Sequence, residues 1–235
     1  MEIKYALTSC DSNPLYLDFW PIISKIWKKY MKIEPILIFI GENFPEYARS
    51  EYGQIINLPP VEGLPISTQT QFIRLWYTQF LDGITITTDI DMIPLSYRYF
   101  HSMKNIKDDK FIVLGFLKTG FSICYNIAHP KIFKEKLSLS ENMKNDIYPY
   151  FLKLKEKNNN SEWFSDEVYL TEHLEDASDI IRFDRGDNPW LTRIDRSNWN
   201  FNPELIKLGV YYDCHSLRPY KKYKSQIDQI IKLFP

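Results

Sequence analysis

The start of the chain alternates short apolar runs with one segment of helical periodicity. Residues 3–7 predict a first strand, which polar turn residues follow. Residues 35–40 form an all-apolar run ended by Gly41, a pattern typical of a strand covered on both faces. Between them, residues 15–30 carry apolar side chains at intervals of three and four, which predicts a helix. A strand, a helix and a second strand in this order predict a βαβ unit within a parallel sheet.

A further helix and strand are predicted before residue 95. Residues 67–81 again show helical spacing of apolar side chains, and Ser67 or Thr68 is expected to cap this helix. Residues 84–88 (ITITT) are all β-branched, which favours a buried strand. Pro94 is expected to end that strand, because proline has no N–H to donate to a neighbouring strand.

The predicted strand runs directly into two acidic residues, Asp89 and Asp91. In an extended chain, residues two positions apart point to the same side, so both carboxylates can face one ligand. Ligands of open α/β sheets bind at the carboxyl ends of the strands, and paired carboxylates there suit a hard divalent cation such as Mn²⁺ or Mg²⁺. A solvated turn is the alternative, since short acidic motifs also occur by chance.

A second acidic pair, Asp166 and Glu167, follows Ser165, which is expected to cap a helix. Acids are common in the first turn of a helix because they suit its dipole, so the pair has a purely structural interpretation as well. The functional interpretation is that one acid faces a site. Because adjacent side chains on a helix diverge, we expect at most one of the two to point into it.

The remaining elements have weaker patterns. Residues 110–116 predict a strand, residues 137–157 an exposed lysine-rich helix and loop, and residues 227–234 a short closing helix.

Composition excludes several classes of protein. The 235 residues fit a single larger domain, and 44% hydrophobic with 16% aromatic residues suffice for a sizeable core. A net charge of −1 gives no basic field for nucleic acid or membrane. The three scattered cysteines are expected to be reduced thiols. With no signal peptide or membrane span apparent, we expect a cytoplasmic protein.

Residues 71–76 (QFIRLW) on a helix, followed by residues 87–94 (TTDIDMIP), resemble the GT-A fold glycosyltransferases that use nucleotide sugars. The similarity is greatest to the glycogenin-like and small viral or bacterial sugar transferases. It implies an α/β fold with a mixed, mainly parallel sheet flanked by helices, as one domain over residues 1–235. Residues 1–95 would form the nucleotide-binding half and residues 96–235 the acceptor-side half.

The resemblance also implies roles for individual residues. Asp89 would contact the ribose and the metal, Asp91 would bind the metal under the diphosphate, and Arg74 would contact the nucleotide or its phosphates. The turn after the first strand matches the nucleotide pocket, where the candidates for holding a uracil or guanine and its ribose are Thr8, Ser9 and Asp11. The implied cofactor is Mn²⁺ or Mg²⁺, with a nucleoside-diphosphate sugar as donor.

Later segments match the same family less specifically. Gly120 and Ser122 would face the donor sugar, although a plain turn and strand is the alternative. Asp166, with Glu167 behind it, would bind the sugar or act as catalytic base.

The C-terminal region matches the family's metal and phosphate tail. His215 would complete the metal shell and Arg218 would close over the diphosphate. The spacing between them is shorter than in glycogenin and lacks its glycine, so Lys221 is an alternative contact for the phosphates.

The function implied is metal-dependent transfer of a sugar, from a UDP-sugar in preference, to a hydroxyl of a glycan or protein-linked glycan. Residues 183–199 combine charged and aromatic side chains, which fits either acceptor-facing loops or a packed surface loop. One rival is a nucleotidyltransferase or phosphohydrolase, but its glycine-rich phosphate loop is missing from residues 8–14. The other rival is a catalytically silent nucleotide-sugar-binding module.

Overall fold

The computed structural model describes residues 1–114, 120–157, 161–183 and 192–234. Its strands are β1 Tyr5–Cys10, β2 Glu34–Ile40, β3 Gln54–Leu58, β4 Thr85–Thr87, β5 Met92–Pro94, β6 Ile112–Leu114, β7 Asn126–Ala128, β8 Ile181–Phe183, β9 Arg193–Asp195 and β10 Asp213–His215. Its α-helices are α1 Pro14–Leu17, α2 Trp20–Lys29, α3 Ile66–Trp76, α4 Tyr97–Phe100, α5 Pro130–Lys136, α6 Met143–Lys155, α7 Ser165–Leu174, α8 Pro203–Lys207 and α9 Tyr220–Ile231.

The strands form one large and one small sheet. The large sheet has the order β3-β2-β1-β4-β7-β6-β8, with β3, β2, β1 and β4 parallel and β7 antiparallel to both of its neighbours. The small sheet has the order β5-β10-β9. The mixed, mainly parallel sheet predicted from the sequence is confirmed.

Helices cover both faces of the large sheet because its central strands are apolar on both sides. Along β1, Ala6 packs into one apolar layer and Leu7 into the opposite layer. The first layer contains Trp20 of α2 and the second contains Phe72 of α3, and all four side chains are buried. Burying each of the larger side chains contributes on the order of 1.5–3 kcal/mol, so the two layers together hold the sheet and its helices.

Prolines account for the differences in the first two predicted helices. The predicted helix over residues 15–30 is divided into α1 and α2, and Pro21, which has no N–H to donate, lies in the first turn of α2. The prediction that Ser67 or Thr68 caps the next helix was wrong. That helix begins at Ile66, directly after Pro65, and ends in a 3-10 turn over Tyr77–Phe80.

The predicted strand into the acidic pair was wrong in one important respect. β4 ends at Thr87, and the chain then turns, with the Met92 N–H donating to the Asp89 carbonyl at 3.2 Å. β5 follows at once, but it belongs to the small sheet and ends at Pro94. The acidic residues therefore lie in a turn between two sheets rather than along one extended strand.

The second half of the chain also departs from its prediction. Residues 137–157 are less exposed than expected, because α6 buries Met143, Ile147 and Phe151. Ser165 does not cap α7: it is the first residue of the helix, and its hydroxyl donates to the Glu162 carbonyl at 2.6 Å.

Two further bounds differ from the sequence prediction. The closing helix begins at Tyr220 instead of residue 227. The strand predicted over residues 110–116 is observed at 112–114, and its last two positions lie outside the described residues. No helix within the described ranges is both long enough and apolar enough to cross a bilayer.

Candidate active site

A cleft with a volume of about 310 Å³ lies at the carboxyl ends of β1 and β4. Its walls come from the turn after β1, from α3, from the turn between β4 and β5, from the start of α7 and from the segments that follow β9 and β10. This is the edge at which α/β sheets bind ligands, because strand ends and helix starts leave polar groups free there. The cleft contains most of the site residues predicted from the sequence.

Arg74 joins the two acidic pairs inside the cleft. It is only 7% exposed, and its Nη1 donates to the Asp89 carboxylate and, at 3.1 Å, to the Thr88 carbonyl. Its Nη2 lies 3.9 Å from Asp166 Oδ2. Its burial shows that Arg74 is not a solvated charge on the helix surface.

The charges of this cluster support one another. Burial alone would lower the pKa of Arg74, but the carboxylates of Asp89 and Asp166 raise it above its ordinary value. Burial alone would likewise raise the pKa of Asp89, but the Arg74 guanidinium outweighs burial and lowers it. Asp89 is thus held ionised at the mouth of the cleft.

Asp91 is the second acid of the motif, and three basic side chains surround its carboxylate. Its Oδ2 lies 3.1 Å from Arg196 Nη1, 3.5 Å from Arg218 Nε and 3.8 Å from His215 Nε2. Asp91 is 3% exposed, and burying a carboxylate is costly unless polar partners such as these lie beside it. Arg218 in turn donates to the Tyr16 hydroxyl at 2.5 Å.

His215 presents its two ring nitrogens to different partners. Nε2 faces Asp91, whereas Nδ1 lies 3.2 Å from Asp195 Oδ2 and 3.3 Å from Arg196 Nη2. A histidine that binds a metal through Nε2 ordinarily has Nδ1 next to a carboxylate, so this orientation fits a metal ligand.

The cleft contains side chains that could bind a divalent cation, but they do not lie close enough together to form a metal site. Asp89, Asp91 and His215 offer the oxygen and nitrogen donors that Mn²⁺ accepts. Across the described ranges, however, no three His, Cys, Asp or Glu side chains lie close enough together to hold a metal. The Arg196 and Arg218 guanidinium groups lie beside the Asp91 carboxylate, so a metal must displace at least one of these contacts. The residues fit a metal in type, and His215 fits one in orientation.

Asp166 and Glu167 both line the cleft, which contradicts the expectation that only one would. α7 begins at the cleft wall, and two successive side chains of its first turn line the cleft together with Trp163 and Phe164. Burial raises the pKa of Asp166 to about 6, while burial and the charges of Asp166 and Asp89 raise that of Glu167 to about 7. Carboxyl groups with such pKa values can gain or lose a proton near neutral pH, as a catalytic acid or base must.

β1 extends to Cys10, so Thr8 and Ser9 lie in the strand and not in the turn predicted from the sequence. Ser9 of β1 and Asp11 of the following turn line the cleft, but Thr8 does not. The Ser9 hydroxyl donates to the Thr70 carbonyl of α3, and Asp11 Oδ1 accepts the Asn13 N–H at 2.9 Å. Thr8 is 1% exposed, and its hydroxyl has no hydrogen-bond partner among the described residues. Side chains alternate along β1, which places Ser9 and Thr8 on opposite faces.

The segment after β6 contributes less than the sequence predicted. Gly120 lies beside Glu167 and Thr171 in a shallow neighbouring depression, and Ser122 does not line the cleft. Of the residues that the structure describes in this segment, from Gly120 on, Ile123 lines the cleft.

Of the two C-terminal basic candidates, Arg218 reaches the cleft and Lys221 does not. Lys221 Nζ lies 3.2 Å from Asp18 Oδ2 and covers the Tyr47 ring at 5.0 Å. Arg218 is therefore the better candidate for a phosphate contact.

Sequence reasoning missed several residues of the cleft. Arg196 belongs to the aperiodic segment predicted as a loop, of which residues 184–191 lie outside the described residues. A signal was nevertheless present: residues 193–195 (RID) and 213–215 (DCH) carry opposite charges at matching positions, which suits two paired strands. Polar and aromatic residues of the cleft that were also missed include Asn13, Tyr16, Gln71, Trp163 and Phe164.

No family model matches the sequence, and no curated protein matches it. Among solved structures, the galactosyltransferase LgtC in complex with donor and acceptor sugar analogues has a TM-score of 0.58 at 10% identity, over 97% of this chain and 94% of LgtC. The apo structure of the bifunctional glycosyltransferase WbbM has a TM-score of 0.51 at 8% identity, over 99% of this chain and 51% of WbbM. The chain therefore has the glycosyltransferase GT-A fold that its sequence resembled.

Proposed function

We propose that the protein is a metal-dependent glycosyltransferase that moves a sugar from a nucleoside-diphosphate sugar to a hydroxyl of a glycan or protein-linked glycan. The observation that carries the proposal is the convergence of two acidic pairs, a histidine and three arginines in one cleft. That cleft lies at the ligand-binding edge of a fold shared with a galactosyltransferase.

Asp89, Asp91 and His215 would hold Mn²⁺ or Mg²⁺. When bound, the cation would stabilise the negative charge that develops on the departing diphosphate. Arg196 and Arg218 are already beside Asp91, and planar guanidinium groups are well suited to phosphate oxygens. Together these residues favour diphosphate release.

The nucleoside would bind in the turn after β1. Ser9, Asp11 and Asn13 offer hydrogen-bonding groups to the base and the ribose. Tyr16 lies at the same end of the cleft, with its ring 5.0 Å from the Arg218 guanidinium carbon. We propose a UDP-sugar as donor, with a GDP-sugar as the alternative that the same groups could bind.

Asp166 and Glu167 would act at the sugar. An ionised carboxylate beside the sugar can remove the proton of an acceptor hydroxyl, and pKa values near neutrality suit this task. If the reaction inverts the configuration at the anomeric carbon of the sugar, Asp166 or Glu167 is the base. If it retains the sugar's configuration, the leaving phosphate can accept the proton, and Asp166 then positions the sugar.

The acceptor would meet two exposed aromatic rings. Trp163 and Phe164 are 48% and 53% exposed, and both line the cleft as well as a neighbouring groove of about 660 Å³. Aromatic rings with polar neighbours suit the faces of sugars. The groove also presents Ser67 and Lys155, which can bind sugar hydroxyls.

The test is turnover of a panel of UDP- and GDP-sugars with Mn²⁺, measured as nucleoside diphosphate released in the presence of an oligosaccharide mixture. Asp91→Ala should abolish release, because it removes a metal ligand and the partner of two arginines. Asp82→Ala is the matched control: Asp82 is an exposed acid bound to Lys4 at the opposite end of β4, and its loss should leave turnover intact. Full activity in Asp91→Ala would refute the assignment of the site.

A further inference from the structure

β9 and β10 run parallel and in register, which places Asp195 directly beside His215. The same register pairs Arg193 with Asp213, whose side chains form two hydrogen bonds of 2.8 and 2.7 Å. Because residues two apart along a strand share a face, both side-chain pairs lie on one face of the small sheet. The Asp195–His215 pair stands at the end that reaches the cleft.

The carboxylate of Asp195 is held in one orientation. Its Oδ1 accepts the Ser197 N–H at 2.9 Å and the Ser197 hydroxyl at 2.6 Å. Its Oδ2 is left to face His215 Nδ1 at 3.2 Å. A carboxylate oxygen can only accept, so this contact requires a proton on Nδ1, which in the neutral imidazole leaves the lone pair on Nε2.

Arg196 favours the opposite arrangement of the same imidazole. Its Nη2 lies 3.3 Å from His215 Nδ1, and a guanidinium can only donate. This contact requires the lone pair on Nδ1 and places the proton on Nε2, the nitrogen that faces Asp91 at 3.8 Å. Two adjacent residues therefore favour different tautomers of one histidine.

We propose that Asp195 is a positioning residue that keeps the proton of His215 on Nδ1, so that Nε2 is free to bind the metal shared with Asp91. Arg196 is the competing cation, and its contact with Asp91 would be lost when Asp91 holds a metal. The inference rests on the metal site of the proposed function. Asp195 itself touches neither metal nor donor.

Two measurements test the roles of these residues. Long-range ¹H–¹⁵N NMR spectra of the imidazoles, assigned with His215→Gln, report the tautomer of His215 without metal. Titration of Mn²⁺ by electron paramagnetic resonance, without nucleotide, gives its affinity. In the wild type we expect the proton on Nδ1.

Asp195→Asn tests the positioning role with a side chain of the same shape. The two Ser197 donors keep the carbonyl oxygen of the asparagine on their side, so its NH₂ group faces His215 and donates to Nδ1. The proton of His215 should move to Nε2, and Mn²⁺ affinity should fall about 10- to 100-fold.

Arg196→Met tests the competition. It removes a positive charge from Asp91, so Mn²⁺ affinity should rise and the proton of His215 should stay on Nδ1. If Asp195 and Arg196 only maintained the shape of the loop, both variants would weaken Mn²⁺ binding, so opposite changes in Mn²⁺ affinity separate the proposed roles from a structural one. Weaker Mn²⁺ binding in Arg196→Met would contradict the proposal that Arg196 competes with the metal for Asp91.

Ser197→Ala is the control for disturbance of the loop, since it removes one donor to Oδ1 and leaves the Oδ2–Nδ1 contact. It should bind Mn²⁺ as the wild type does. Wild-type affinity in Asp195→Asn, or a wild-type proton on Nε2, would overturn the role of Asp195. A wild type that does not bind Mn²⁺ would refute the metal site of the proposed function, whereas the tautomer spectra would still decide whether Asp195 controls His215.

Discussion

Asp91 is the residue on which the charges of the cleft converge. Two arginines and a histidine surround one of its carboxylate oxygens, while Asp89 is held by a different arginine. The two acids of the motif are therefore not equivalent. Asp91 is buried and shared between elements distant in the chain, whereas the side chain of Asp89 is 32% exposed at the mouth.

Glu167 carries a cost to stability that depends on pH. Its pKa is raised to about 7 in the folded protein, first by burial and then by its acidic neighbours. Between its unfolded pKa, about 4.3, and its folded one, the folded state holds more protons than the unfolded state. Stability therefore falls as the pH rises through this range, and the loss is complete above the folded pKa.

Glu167→Gln should remove this cost, since its amide does not ionise. Relative to the wild type, the variant should gain on the order of 1–3 kcal/mol between pH 4 and pH 8. Thermal unfolding of both proteins at several pH values measures this gain.

Glu172 provides the control on the same helix. Glu172 has no such cost to stability, because its hydrogen bond with Lys153 lowers its pKa. Glu172→Gln should show no gain at high pH. A constant difference between Glu167→Gln and the wild type at every pH would contradict the raised pKa of Glu167.

At the scale of elements, α3 and α7 set the position of the charged cluster. α3 carries Arg74 and α7 carries Asp166, and the two helices meet through the rings of Phe72 and Tyr169 at 4.8 Å. Both rings are almost fully buried, and the Tyr169 hydroxyl donates to the Leu137 carbonyl at 2.5 Å. This apolar contact holds the arginine near the acid.

Phe72→Ala should destabilise the protein by about 3–5 kcal/mol, because it leaves a cavity between the two helices. It should also impair turnover, since Arg74 and Asp166 lose their common support. Urea unfolding and the release assay measure the two effects. Phe80→Ala is the comparison: Phe80 is 51% exposed, so its loss should cost much less, and equal costs would contradict the role of the Phe72 contact.

Elements were predictable from the sequence where a single local rule decided them. The all-apolar run of β2 required cover on both faces, and the periodicity of α3 placed Arg74 before the acids. The bounds of the first two helices were wrong because the prolines near their starts were not taken into account, whereas the end of the strand before Asp89 depends on tertiary contacts. The β-branched run before Asp89 has no local signal for leaving one sheet and entering another, because that change depends on β10, far along the chain.

At the scale of the whole molecule, the fold class was predictable from the sequence. The set of residues that line the cleft was predictable only in part. Asp89, Asp91, Arg74 and His215 lie in the cleft, as the resemblance implied. Arg196 was missed because its position follows from the pairing of β9 with β10, two strands that are far apart in the sequence. Lys221 and Thr8 lie elsewhere for reasons of side-chain direction, which depends on packing.

Donor and metal together should stabilise the whole fold, since they bind residues from both sheets. At 100 times its Kd, a ligand adds about 2.7 kcal/mol, which for a chain of this size corresponds to a rise in Tm of roughly 5–10 °C. Differential scanning calorimetry with UDP and Mn²⁺ measures this rise. GDP provides the comparison, and a larger shift with GDP would contradict the preference for uracil.

The turn that carries the acids connects β4 of the large sheet to β5 of the small one, and this connection has a consequence during synthesis. Among the described residues, the earliest in the chain to form an ion pair with Asp91 is Arg196, which is made 105 residues later. Until then a nascent chain can form the β1–β4 layer with Arg74 beside Asp89, but without this partner of Asp91. We expect the ability to bind metal to arise late and in one step, when β9 and β10 dock on β5, so that unfinished chains carry a folded nucleotide half with no catalytic capacity.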